Sequence, residues 1–218
     1  ANLISKAEKN GKIRKITSRL YTTNLIDSFE NIVKRNLIDI LAWRLPGAII
    51  SHRSAATLKP TEKGDIYLTY SFNKKIENIP GIILNVSKGH EPIPSDIKSG
   101  SADIYASSEY RWFLEVMQKS RTGSEGENRS LPQDFIEKRL DAMIGAGGET
   151  KINDFRDKLK SVSQELGMES EFEKLNKIIS ALLSTHDSKV LNSSVGKNRA
   201  AGFPMDQNRF ELFQKLYD

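Results

Sequence analysis

Residues 11–23 read GKIRKITSRLYTT. Two short runs rich in β-branched and aromatic residues, KIRKIT and RLYTT, meet at 17–19, and this pattern predicts a two-stranded hairpin. Ahead of it, 2–10 predicts a short helix that Gly11 stops. Both elements are basic. Lys6, Lys9, Lys12, Arg14, Lys15 and Arg19 fall in the first 20 residues against Glu8 alone, while the other 198 residues hold 27 basic and 27 acidic side chains. The whole net charge of +5 therefore sits in this segment. A basic terminal element beside a neutral body is where an anionic partner docks; the plainer reading is a solvated terminal arm.

A helix followed directly by a basic hairpin is the second half of a winged helix, in which the helix enters the major groove and the hairpin meets phosphates. The two helices that precede it in such a unit are not in this sequence. Lys6 and Lys9 would then face the groove or backbone, with Lys12, Arg14, Lys15 and Arg19 on phosphates. If all six engaged B-DNA, log affinity would fall against log salt with a slope of roughly −5.

Composition bounds the rest. With 218 residues, 38% hydrophobic and 28% charged, the chain has the make-up of one large or two small globular domains, not of a collagen-like, wholly disordered or membrane-spanning protein. It has no cysteine, so disulfides, thiolate metal sites and cysteine nucleophiles are excluded, which suits a reducing cytoplasm. The start at Ala1 rather than Met, and an apolar helix face running off the end at Asp218, give the expectation of a piece of a longer protein.

Beyond the hairpin, Asp27 and Glu30 have the spacing of a capping box. Phe29, Val33, Leu37, Ile40, Leu41 and Leu45 recur at helical intervals, predicting one long amphipathic helix that Pro46 and Gly47 end. In AIISHRSAATL a short strand gives way to a small helix that Ser51 or Ser54 caps. GDIYLTY and GIILNVS read as strands, and ADIYAS as a third. From Ser107 the period turns helical through Tyr110, Phe113, Leu114 and Met117, and the polar loop KSRTGSEGENRS is the expected domain boundary. Helices are predicted over 132–144, 152–166 and 169–183. Gly145 to Gly148 form a helix-ending linker, and a connector over 184–202 leads to a last helix from 206. The expected fold is α+β: a partial winged-helix remnant (1–23), a small mostly antiparallel sheet with flanking helices (24–120), and a helical C-terminal portion (131–218).

Chemistry-bearing residues are sparse. His52, His90 and His186 stand singly, without the spacing of a zinc site, and neither a metal nor a cofactor is expected. A hydrolase reading would start from Ser51 and His52, but adjacent residues rarely face each other as nucleophile and base, and no G-x-S-x-G elbow accompanies them. Capping by Ser51 or Ser54, with His52 and Arg53 bonded to backbone or packed on the sheet, is the preferred reading. His186, in THD, is expected at a helix end, and His90 at the surface. GAGGET lacks the Lys-Ser/Thr of a phosphate-binding loop.

The stretch GKIRKITSRLYTTNL, the following helix ending in LPGAIISHRSA, and GDIYLT together resemble the AbiEi family of antitoxins. That resemblance implies an N-terminal winged helix on operator DNA and a further domain serving antitoxicity. EFEKLNKIISALLSTHDSK and AAGFPMDQNRFELFQKLYD are similar to the region before the catalytic core in Fic-family proteins that carry such a front end. The family reaction is transfer of AMP from ATP to a protein hydroxyl. Its signature, His-Pro-Phe-x-Asp-Gly-Asn-Gly-Arg, is absent from this chain, and Ser161 to Glu165 continue with Leu166 where the family's inhibitory motif has Gly or Asn.

The resemblance implies a non-enzymatic regulatory module of a Fic-type protein, acting in transcriptional regulation in the cytoplasm, with double-stranded DNA as partner and no membrane. The alternative is an interaction domain that docks the protein's own Fic domain or another protein through the face of Phe210, Phe213 and Leu216.

Overall fold

In the computed structural model, which describes residues 3–57, 59–118 and 129–192, the elements follow in this order. The first part of the chain holds α1 (Leu3–Lys9), β1 (Arg14–Thr17), β2 (Leu20–Thr22), α2 (Phe29–Arg35), α3 (Leu37–Arg44), β3 (Ala48–Ile50) and α4 (His52–Thr57). Then come β4 (Asp65–Tyr70), β5 (Lys74–Ile79), β6 (Ile82–Lys88), β7 (Ile97–Lys98), β8 (Ile104–Ala106), α5 (Glu109–Val116), α6 (Gln133–Leu166) and α7 (Glu169–Asn192). The fold is α+β, and it divides into two compact units. Among the described residues one unit holds 3–50, 57 and 59–106, and the other holds 51–56, 107–118 and 129–192.

The first unit is built on a six-stranded sheet of order β5-β6-β4-β3-β8-β7. Sequence reasoning expects a mostly antiparallel sheet; the sheet is mixed, because β4 runs parallel to β6, and β3 to β8. The β4–β6 pairing follows from β5, a strand with no strand-like alternation in its sequence. KKIENI buries only Ile76 and Ile79, three residues apart, and a register irregularity between them breaks the period of two. Once β5 folds back antiparallel on β6, the strands GDIYLTY and GIILNVS are next but one along the chain and point the same way. The turn between β5 and β6 lies against a second turn. Gly64 sits at φ +86°, and a Cβ there would stand 2.5 Å from the Gly81 carbonyl oxygen. Only glycine fits.

One face of the sheet carries Ile66, Leu68, Leu84, Val86, Ile50 and Ile104 into a core closed by Val33, Leu37, Ile40 and Leu41 of α2 and α3. The expected single helix over this region is two. The break is at Asn36, whose backbone leaves the helical region (φ −113°, ψ 25°); its side-chain amide donates to the Ile32 carbonyl at 2.8 Å, alongside its own backbone N–H at 3.2 Å. The cap is Ser28, whose Oγ accepts from Asn31 N at 3.3 Å, not Asp27 of the expected capping box.

The second unit is helical. α5 is capped by Ser108 and buried along most of its length. Trp112 stacks on Phe113 at 4.0 Å, and Phe155 of α6 meets both Phe113 and Tyr110. The polar loop after α5 is thus not where the units part; α5, placed with the sheet by the sequence reading, packs with the helices. Helical conformation continues through Gly145 and Gly147 and breaks at Gly148 (φ 66°, ψ −164°), inside the expected linker. Gly167, left-handed at φ 63°, ends α6. α7 runs on through Asn192, so the predicted stop near 183 and the start of the connector at 184 are corrected. The last predicted helix, with Phe210, Phe213 and Leu216, lies outside the described residues.

Candidate nucleic-acid interface

The basic segment forms the helix and hairpin expected of it. α1 buries none of its residues. Lys12 N returns to Ala7 O at 2.9 Å, closing α1 before the chain enters β1. The hairpin pairs Arg14 with Thr22, Lys15 with Tyr21 and Thr17 with Leu20, and a bulge between Lys15 and Thr17 offsets Ile16. Ile16 and Leu20 pack against the sheet's core, which fixes the hairpin to the first unit. Arg19 is at the turn with φ 63°, a left-handed conformation uncommon for a residue other than Gly, Asn or Asp.

Five of the six candidate residues, Lys6, Lys9, Lys12, Lys15 and Arg19, are exposed. The sixth is different. Arg14 is half-buried and bonded within the unit: its Nε and Nη2 donate to Asn24 O at 3.1 and 2.8 Å, and Nη2 also donates to Asp27 O. Its guanidinium lies 4.7 Å from the centre of the Phe29 ring. Arg14 braces the loop after β2 and is not presented as a free cation. Asp27, at the far side of that loop, pairs with Arg35 and accepts from Asn24 Nδ2 at 2.8 Å. Those bonds hold its carboxyl below the ordinary carboxylate value. Sequence alone ranks Arg14 with its neighbours, since a phosphate contact and a backbone brace use the same residue type.

The Ser51–His52 pair lies in the second unit. Adjacent residues do meet here: Ser51 Oγ and His52 Nδ1 are 2.9 Å apart, because His52 takes the left-handed φ of 53° and turns its ring back on its neighbour. Both are buried. The third group of a nucleophilic triad is engaged elsewhere. Glu115 Oε2 accepts from the His52 backbone N and from Ser107 Oγ, each at 2.8 Å, and Oε1 accepts from Arg111 Nε at 2.9 Å. Burial holds the His52 imidazole below its ordinary value, against the pull of Glu115 and with the help of Arg129 and Arg111. The Gln118 side chain favours the charged ring, yet it lies outside hydrogen-bond geometry from Nε2, which has no partner among the described residues. The arrangement ties the start of α4 to α5; it presents no exposed nucleophile.

The remaining histidines are at the surface. His90 is exposed. His186 is within α7, not at its end, and its Nε2 meets Asp141 Oδ1 of α6 at 2.7 Å. Among the described residues no cluster of three His, Asp or Glu stands ready for a metal, and no helix is long and apolar enough to cross a membrane. No family model, no curated relative and no solved structure matches this chain.

Proposed function

We propose that this chain is a regulatory module of the AbiEi-like kind, carried in the cytoplasm by a Fic-type protein, and that it binds duplex DNA through α1 and the β1–β2 hairpin. One observation carries the reading: Lys6, Lys9, Lys12, Lys15 and Arg19 are all exposed on one helix, one hairpin and the short link between them, whereas the 198 residues after the first 20 are neutral in sum. Exposed cations grouped in this way release condensed counterions from a phosphate backbone. The module itself is non-catalytic in this reading. Its Ser–His pair is buried, with the nearest carboxylate bonded to the His52 backbone and not to its ring.

With Arg14 engaged internally, five cations remain for phosphates, and the slope of log affinity against log salt is expected to be roughly −4.5. Fluorescence anisotropy with a labelled duplex across a salt series measures it. Replacing Lys12 and Lys15 by Ala should flatten the slope by about 2 and weaken all duplexes alike. Absence of salt-sensitive binding to any duplex would overturn the proposal.

A further inference from the structure

Where β4 ends and β5 begins, the sheet carries an aromatic pair among lysines. Tyr70 and Phe72 meet edge to face, with ring centroids 5.0 Å apart and planes at 89°. Tyr70 packs against the core of the first unit, whereas Phe72 is 39% exposed. In a T-shaped pair the partner covers at most one face of a ring, so Tyr70 leaves a face of Phe72 uncovered. The backbone on either side is held: Lys88 N donates to Asn73 Oδ1 at 2.7 Å, and Gly89 N to Tyr70 O at 3.0 Å. Register places the charges. Tyr70 is the partner of Lys88 on β6, and Lys74 is the partner of Val86, two residues before Lys88. Cross-strand partners share a face, as do residues two apart, so Tyr70, Lys74 and Lys88 lie on one face, with the two lysines as diagonal neighbours roughly 7–8 Å apart. Both lysines are exposed. Among the described residues neither is paired with a carboxylate; Glu77 of the same strand pairs with Lys75 at 2.7 Å, and Lys75 alternates to the opposite face from Lys74.

We infer that Phe72, Lys74 and Lys88 form a binding site for an unpaired nucleotide, in which the base stacks on Phe72 and the lysines take the flanking phosphates. The site goes beyond the duplex reading, which uses α1 and the β1–β2 hairpin. Two properties select the ligand. A single strand offers a flat π face and a negative charge at every residue, and proteins that bind it combine aromatic rings under the bases with cations along the backbone. A half-covered ring beside two ammonium groups supplies both contacts. A duplex keeps its base faces stacked on one another and would use the lysines alone. An acidic peptide would also pair with the lysines, but it has no flat face to lay on the ring. An anionic lipid surface favours a broad apolar face, and Phe72 stands between the exposed polar residues Ser71 and Asn73.

The test uses the full chain and two labelled probes of equal length and charge, an oligothymidylate and an abasic strand with the same phosphates and no bases. The wild type should bind the oligothymidylate more tightly, read by fluorescence anisotropy. Phe72→Ala should weaken that binding about tenfold, to the level of the abasic strand, and leave both the salt slope and duplex binding unchanged. Replacing Lys74 and Lys88 by Gln should flatten the single-strand salt slope by about 1.4. Phe72→Trp keeps the ring: it should bind like the wild type, with its added indole emission quenched by the stacked base, which separates lost stacking from lost folding. Equal binding of the two probes, a Phe72→Ala variant that prefers the oligothymidylate as the wild type does, or no single-strand binding overturns the site and leaves the duplex reading standing. Loss of duplex binding alone, with the preference for bases intact, overturns the duplex reading and supports the site. Binding of polyglutamate that Phe72→Ala abolishes, in place of the oligothymidylate, assigns the patch to an acidic peptide and overturns the inference.

Discussion

Arg14 and Lys15 are neighbours in one strand, and their side chains do opposite things. Arg14 faces into the loop that it braces with charged hydrogen bonds; Lys15 is exposed. Arg14→Ala should therefore destabilise the first unit by about 2 kcal/mol, read by urea denaturation, and Arg14→Lys should not restore it, since a point charge cannot span both carbonyls. Lys15→Ala should leave stability unchanged and weaken DNA binding. In the second unit His52 sets the pH response. Its folded-state proton affinity is lowered by burial, so the unfolded chain binds the proton more readily, and stability present at pH 8 is lost as pH falls through about 6.5, the ordinary histidine value. Melting curves from pH 8 to 5 check this, and His52→Gln should flatten the dependence. Asp27, whose affinity is lowered by Arg35, behaves with the same sign at lower pH: its contribution is present above about 3.8 and lost below it.

Among elements, the turn that joins β5 to β6 and the segment that enters β4 are matched backbone to backbone. Gly64→Ala introduces a Cβ 2.5 Å from a carbonyl oxygen in a left-handed conformation, while at Gly11, φ +67°, nothing lies within 4 Å. Gly64→Ala should cost clearly more than the roughly 1 kcal/mol that left-handed backbone alone imposes at Gly11→Ala, a difference measurable by chemical denaturation. The α4–α5 connection depends on Glu115. Its carboxylate satisfies Arg111, Ser107 and the His52 backbone at once, and Arg111 and Glu115 are 2% and 5% exposed. Glu115→Ala leaves a buried guanidinium without this partner and should cost about 3 kcal/mol or more.

For the whole molecule, two units with separate cores imply two melting transitions. Calorimetry should show Glu115→Ala lowering one and Arg14→Ala lowering the other; a common shift in both variants would mean that the units unfold together. The sequence by itself determined the features that depend on near neighbours. Charge is counted residue by residue, and the helix and hairpin within 3–22, the turn at Pro46 and Gly47, the helix start after Ser107 and the stop at Gly167 follow from spacing and local backbone preference. Only the tertiary structure decided which cation is structural, why the sheet is mixed and where α5 belongs. Each of these depends on a partner far along the chain: the Asn24 and Asp27 carbonyls for Arg14, β6 for the polar strand β5, and Phe155 for the aromatic stripe of α5. Long-range pairing leaves no periodic trace in the residues that make it.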